Sequence, residues 1–155
     1  MTQRIDYAKA APGALHAMLG LENYVRGSGL EDSLLELVRM RVSQLNGCGY
    51  CLDMHSKDAR AAGETEQRLY TLSVWRETGF FTARERAALA WTEAVTKLTD
   101  QEVSDAVYEE ARRHFDEKAL VDLTLAVIAI NGWNRLAIPF RTEPGTYQPA
   151  ARKPG

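Results

Sequence analysis

Apolar residues recur along this chain at every third or fourth position in one segment after another. No stretch alternates long enough for a strand, so the pattern predicts an all-α bundle of six or seven helices. Pro12 suits a first helical turn, and Leu15, Met18, Leu19, Leu21 and Val25 form a stripe that stops at Gly27-Ser28-Gly29. Leu34, Leu37, Val38, Val42 and Leu45 keep the period from about 32 to 45, where Asn46-Gly47 ends it. A third helix is predicted over about 48–62, closed by Gly63, and Leu69, Leu72 and Trp75 suggest a short fourth before Thr78-Gly79. Thr82-Ala83-Arg84-Glu85 is a capping box for a fifth helix running through Trp91, Val95 and Leu98. Thr99-Asp100-Gln101-Glu102 repeats the device and predicts a sixth helix reaching His114-Phe115. The seventh, about 117–137, is apolar on nearly every face from 120 to 130, which predicts burial at the centre or against another subunit.

The start of the chain reads as irregular. The tail, with Pro139, Pro144-Gly145, Pro149 and Pro154-Gly155, reads as extended chain that wraps a neighbour. With 155 residues and 45% apolar composition, the expectation is one domain over 1–155 with its core at about 12–140. A net charge of −2 without a Lys/Arg block offers no electrostatic reason to expect nucleic acid or an anionic membrane as partner. The longest unbroken apolar run is far short of the ~20 residues that cross a bilayer, and no signal peptide opens the chain, so a soluble cytoplasmic protein is expected.

Composition changes the picture at one place. Both cysteines lie in Gly47-Cys48-Gly49-Tyr50-Cys51-Leu52-Asp53-Met54-His55. Two cysteines in a cytoplasmic-looking chain point to redox or metal chemistry rather than to a structural staple. A helix starting near Cys48 puts Cys51 in its first turn, where free N–H groups and the dipole favour a thiolate. His55 lies about 40° around and about 6 Å up the helix from Cys51, on the same side, and Cys48 is within disulfide reach.

A thiolate nucleophile needs a base, and the base needs an orienting group. Glu36 is the candidate, a carboxylate among Leu34, Leu35, Leu37 and Val38 that the Asn46-Gly47 turn can bring back against His55. Ser33-Leu34-Leu35-Glu36 also fits a capping box, which would make Glu36 a first-turn cap. His16 and His114 have ordinary helical positions. Trp75, Trp91, Met18 and Met40 read as core, while Arg39, Arg41, Arg112 and Arg113 read as solvated or subunit-facing.

Glu36, eleven residues, Cys48-Gly49-Tyr50-Cys51, three more and His55 together resemble the E-x11-C-x2-C-x3-H pattern of the AhpD-like alkyl hydroperoxidases, within the carboxymuconolactone decarboxylase superfamily. Asn131-Gly132-Trp133-Asn134-Arg135 is similar to that family's last core helix. The resemblance implies an AhpD-like helical fold assembled as trimers or hexamers, and a thiol-dependent peroxidase that needs no cofactor. It implies Cys51 as the peroxidatic cysteine, Cys48 as the resolving one, His55 as the proton acceptor and Glu36 as its orienting group. The implied partners are a peroxide and a dithiol donor, either a lipoyl protein, a thioredoxin-like protein or a small thiol. Tyr50 departs from members with histidine before the second cysteine, and a phenol of pKa about 10 is no base near neutrality.

Three rivals stand beside this. A zinc site from Cys48, Cys51, His55 and Glu36 has a plausible ligand set, but zinc knuckles draw a second ligand pair from farther along the chain. A lyase of the wider superfamily has no need of a redox pair. A non-catalytic redox-sensing module would oxidise without turning over. Haem attachment through C-x-x-C-H is excluded by Leu52.

Overall fold

The computed structural model describes residues 2–100 and 102–150, and among them it contains eight α-helices, one 3-10 segment and no strand. A short α1, Tyr7–Ala10, capped by Asp6, occupies the stretch read as irregular. α2 is Pro12–Arg26, with Pro12 in its first turn, and α3 is Asp32–Asn46. α4 is Gly49–Ala61, and α5, Glu66–Thr71, passes into the 3-10 segment Leu72–Glu77 at a kink where Val74 leaves helical geometry. α6 is Ala83–Thr96, opened by the Thr82–Glu85 capping box, with both of its reciprocal hydrogen bonds formed. α7 is Asp105–His114 and α8 is Glu117–Phe140.

α3 sits at the centre because both of its sides are apolar. Leu35, Leu37, Val38 and Val42 are fully buried, each stabilising by roughly 1.5–3 kcal/mol. α4, α6 and α8 pack around it, and α2 lies along α8. The close approach of α2 falls at Gly132, where a Cβ would stand 2.8 Å from Met18 Cε. Leu37, Met40, Leu69, Leu72, Trp75, Phe81 and Leu89 make a second apolar cluster beneath α5.

Several expectations change. The sixth helix is not opened by Thr99: Asp100 lies in a turn, Gln101 falls outside the described residues, and Ser104 Oγ accepts the Val107 N–H as the cap. The fifth helix stops at Thr96, leaving Leu98 61% exposed. α8 is buried on one side only, with Leu123, Val127 and Ile130 inside while Val121 and Ile128 face outward. Over its 24 residues α8 reaches the length and mean hydropathy of a membrane span, which the unbroken apolar run does not convey, yet it carries buried Asp122 and Asn134 and packs on α2, α3 and α6.

Arg41 is not solvated. Its Nε donates to Glu93 Oε1 at 2.7 Å, and Trp75 Nε1 and Arg76 Nη1 converge on the same carboxylate. The tail folds back onto its own chain at α4, while Pro154 and Gly155 lie outside the described residues.

A polar layer fixes where α4 begins. Gly47 takes a left-handed φ of 70° to close α3, and the Cys48 N–H donates to Ser43 O at 2.9 Å. Asn46 Nδ2 donates to Asn131 Oδ1 and Asn134 Oδ1, each at 2.9 Å, and buried Asn134 donates in turn to Ser43 Oγ. The α3–α4 turn is thereby tied to α8.

Candidate active site

Cys48 stands at the N-cap of α4, the place ordinarily taken by Ser, Thr, Asp or Asn, and its Sγ accepts the Cys51 N–H at 3.4 Å. Cys48 and Cys51 are joined as a disulfide with Cα atoms 5.4 Å apart, inside the range that bond requires. The pair is thus described in its disulfide form. Both residues belong to the main apolar cluster, at 2% and 1% exposure. One turn on, His55 lies on the Cys51 side of α4 and is also buried.

Glu36 reaches His55 from α3. Its Oε2 lies 2.9 Å from His55 Nδ1, which holds the ring with Nε2 as the nitrogen left for chemistry. The capping-box alternative does not form: α3 starts at Asp32, so Glu36 belongs to the second turn. Of the sequence-predicted set, Glu36 is thus brought against His55 and Cys48 against Cys51, with His55 one turn along α4 from Cys51. The other histidines stay apart, His16 exposed on α2 and His114 paired with Glu110.

Arg39 corrects the reading of a solvated cation. It is 6% exposed, donating through Nη1 to Glu36 Oε1 at 2.6 Å and through Nη2 to Glu22 Oε1 at 2.5 Å. Trp133 Nε1 donates to Glu22 Oε2 at 3.2 Å, so a partly buried hydrogen-bonded chain runs from α8 through α2 and α3 to the imidazole on α4. Arg26 Nε also donates to Glu22 Oε1, at 3.4 Å, so the two carboxylates of the chain face two guanidinium groups. The signal for Glu22 was the one used for Glu36, a carboxylate on an apolar helix stripe, and Arg39 stands one turn after Glu36.

Burial alone would raise the Glu36 carboxyl, but the hydrogen bond and charge of His55, with those of Arg39, outweigh it and hold the group below the usual carboxylate range. A lowered folded-state value means that this stabilisation is complete above the unfolded carboxylate value, about 4.3, and disappears as pH falls through the lower folded one. The difference in urea midpoint between the wild type and Glu36→Gln is therefore expected to be widest near pH 7 and to narrow below about pH 4. A difference that widens on acidification would contradict the arrangement.

The returning tail adds Tyr147, which engages Asp58 of α4. Tyr147 Oη donates to Asp58 Oδ1 at 2.7 Å, and ligating atoms of Glu36, His55 and Asp58 all lie within 4.8 Å of one another. Burial, then the hydrogen bond to Asp58, then the charges of Asp58 and Glu36, push the Tyr147 phenol up to about 12, so it remains a donor at neutral pH. The tail is pinned by the Gly145 N–H on Asp53 Oδ2 at 2.9 Å and by Lys57 Nζ on the Tyr147 carbonyl at 3.1 Å. As a cation site, the Glu36–His55–Asp58 group would have to displace Arg39 and Tyr147. A four-ligand zinc set has its two sulfurs bonded to each other in this state.

Beside Cys48 opens a cavity of about 600 Å³, walled by Tyr50, Ala137, Ile138, Arg141 and Pro144. Cys51 does not line it.

The Carboxymuconolactone decarboxylase family profile matches residues 12–94. An uncharacterised protein of Bacillus subtilis, YdfG, is 44% identical over 138 residues, covering 89% of this chain and 94% of its own. The crystal structure of a protein of unknown function from Agrobacterium tumefaciens, proposed to be the antioxidant defence protein AhpD, superposes with a TM-score of 0.91 at 44% identity. It covers 94% of this chain and 100% of that one. The alkyl hydroperoxide reductase AhpD of Bradyrhizobium diazoefficiens is 42% identical over 43 residues, 28% of this chain and 24% of its own.

Proposed function

The chain belongs to the carboxymuconolactone decarboxylase family, and on that footing we propose that it is an AhpD-like, thiol-dependent peroxidase cycling between a Cys48–Cys51 dithiol and disulfide. In the reduced form the Cys51 thiol gives its proton to His55, directly or through water, and the thiolate attacks the terminal oxygen of ROOH. The O–O bond breaks. Cys51 becomes a sulfenic acid, and ROH leaves with the proton that His55 returns. The Cys48 thiol then condenses with the sulfenic acid, expelling water and forming the disulfide. A dithiol donor restores both thiols and is itself oxidised to a disulfide.

The observation that carries this reading is the 2.9 Å bond between Glu36 Oε2 and His55 Nδ1, one helical turn beyond Cys51. It supports reading the imidazole as an oriented base rather than a core histidine, with the Glu36 carboxylate beside it to favour a proton accepted there. The first turn of α4 supports the thiolate with its free N–H groups and dipole. We further take the active form to be a cytoplasmic homotrimer or homohexamer, with outward-facing Val121 and Ile128 on α8 as surface for subunit contact.

The test is a peroxide-consumption assay with hydrogen peroxide, tert-butyl hydroperoxide and cumene hydroperoxide, each against a panel of dithiol donors. Turnover is expected with at least one pair, together with loss of two titratable thiols per chain when the reduced protein meets peroxide alone. A thiol titre that peroxide leaves unchanged would overturn the proposal, and oxidation without turnover would mark a sensor instead.

A further inference from the structure

Cys51, His55 and Asp58 follow one another along α4 at spacings of four and then three residues, so all three stand on one face of that helix. The chemistry above uses only the first two. A carboxylate oxygen of Asp58 lies within 4.8 Å of both a ring nitrogen of His55 and a carboxylate oxygen of Glu36. We propose that Asp58 is a second positioning carboxylate for the His55 imidazole, and that Tyr147 of the returning tail holds it in place. This rests on the peroxidase reading above and adds the pair of residues that governs how readily the imidazole takes the Cys51 proton.

The tail is built to present the phenol. Tyr147 Oη donates to Asp58 Oδ1 at 2.7 Å, while the Gly145 N–H on Asp53 Oδ2 and Lys57 Nζ on the Tyr147 carbonyl fix the chain that carries it. A half-buried aspartate without such a donor would be free to turn toward water. With its ionisation raised by burial and by Asp58 to about 12, the phenol stays a neutral donor at working pH. It therefore fixes the carboxylate without cancelling its charge. Asp58 makes no ion pair among the described residues, so no cation neutralises it before the imidazole gains a proton.

The charges around the ring give the sign of the effect. From α3, Glu36 Oε2 meets Nδ1, and Arg39 stands behind it on Glu36 Oε1; from α2, Glu22 and Arg26 lie one pair farther out. Among the described residues α8 brings no charged side chain into ion-pair contact with His55. When Cys51 Sγ passes its proton to the ring, two neutral groups become a thiolate and an imidazolium. Glu36 is already shared with Arg39, whereas Asp58 meets the new cation with its charge unmatched and favours the ion pair over the neutral pair. The proton later leaves with ROH, and Asp58 ends as it began.

The test alkylates the reduced protein with iodoacetamide over a series of pH values, follows Cys51 by peptide mass mapping and uses no peroxide. Asp58→Asn is expected to raise the pH midpoint of Cys51 alkylation by about half to one pH unit, the order of effect of one charge at this range on a partly buried site. Tyr147→Phe is expected to raise it by less, and Asp58→Glu to keep it near the wild-type value. A midpoint that Asp58→Asn leaves in place or lowers overturns the proposal, whatever happens to the urea midpoint, and makes the Tyr147–Asp58 bond a clasp for the tail alone. An Asp58→Glu midpoint as high as that of Asp58→Asn would assign the shift to shape rather than charge and overturn it as well. A midpoint that Tyr147→Phe does not move overturns the holding role. If both substitutions shift the midpoint as expected while tert-butyl hydroperoxide leaves the thiol titre of the wild type unchanged, the peroxidase reading falls and the positioning pair stands.

Discussion

Cys51→Ser is expected to bring peroxide consumption to the uncatalysed background, a loss of at least ~10³-fold, because a serine hydroxyl beside the same imidazole is far less nucleophilic toward a peroxide oxygen than a thiolate. Cys48→Ser is expected to fail differently. Its Cys51 still reacts, so one equivalent of peroxide per chain disappears in a burst before turnover stalls, and the sulfenic acid left behind can be labelled with dimedone. The pair of outcomes assigns the roles, since the two residues are equally buried and bonded to each other in the oxidised chain. Steady turnover by Cys51→Ser, or a burst from Cys51→Ser and none from Cys48→Ser, would reverse the assignment.

His55→Ala should cost about 10²–10⁴ in the rate of oxidation at pH 7, the usual worth of a positioned base. Glu36→Gln should cost less, roughly 10–100-fold, because glutamine still reaches the imidazole but brings no charge to hold a proton on it. Both losses are expected to shrink as pH rises, since hydroxide then ionises the Cys51 thiol without the relay. The pH profile of iodoacetamide alkylation of the reduced protein reads this directly. Losses that are the same at every pH would make Glu36 and His55 structural, part of the hydrogen-bonded chain with Arg39 and Glu22 rather than of the chemistry.

Much of the helical frame is legible in the residues. Asn46-Gly47 ends α3 because glycine takes the left-handed geometry there, and Thr82 with Glu85 opens α6 by the two bonds the pattern implies. The same kind of pattern misleads at Thr99 through Glu102, because a hydroxyl three residues ahead of an acid says only that a cap is possible. Ser104 wins, and the helix it opens has Ala111 fully buried on the face turned to α6.

Within the candidate site, spacing along one helix was readable and pairing across helices was not. Cys48, Cys51 and His55 share α4, so a 3.6-residue period places them. Glu36 stayed ambiguous on the residues alone, because Ser33 offered it a local partner as good as a distant one. Arg39 and Glu22 were missed because each answers the other across two helices, and a single sequence shows only one side of such a pair. Tyr147 lies in a proline-rich tail with no periodicity, and its partner Asp58 on α4 looks like any outward acid.

The ring closed by the disulfide spans only the four residues from 48 to 51, within one turn. So small a ring removes less freedom from the unfolded chain than a longer loop would, about 2 kcal/mol, and no second helix is tethered by it. The oxidised protein should therefore melt only several degrees above the reduced one, leaving the fold intact in both halves of the cycle. Durability over many rounds then comes from the packing around α3 and the asparagine layer at Asn46 and Asn134.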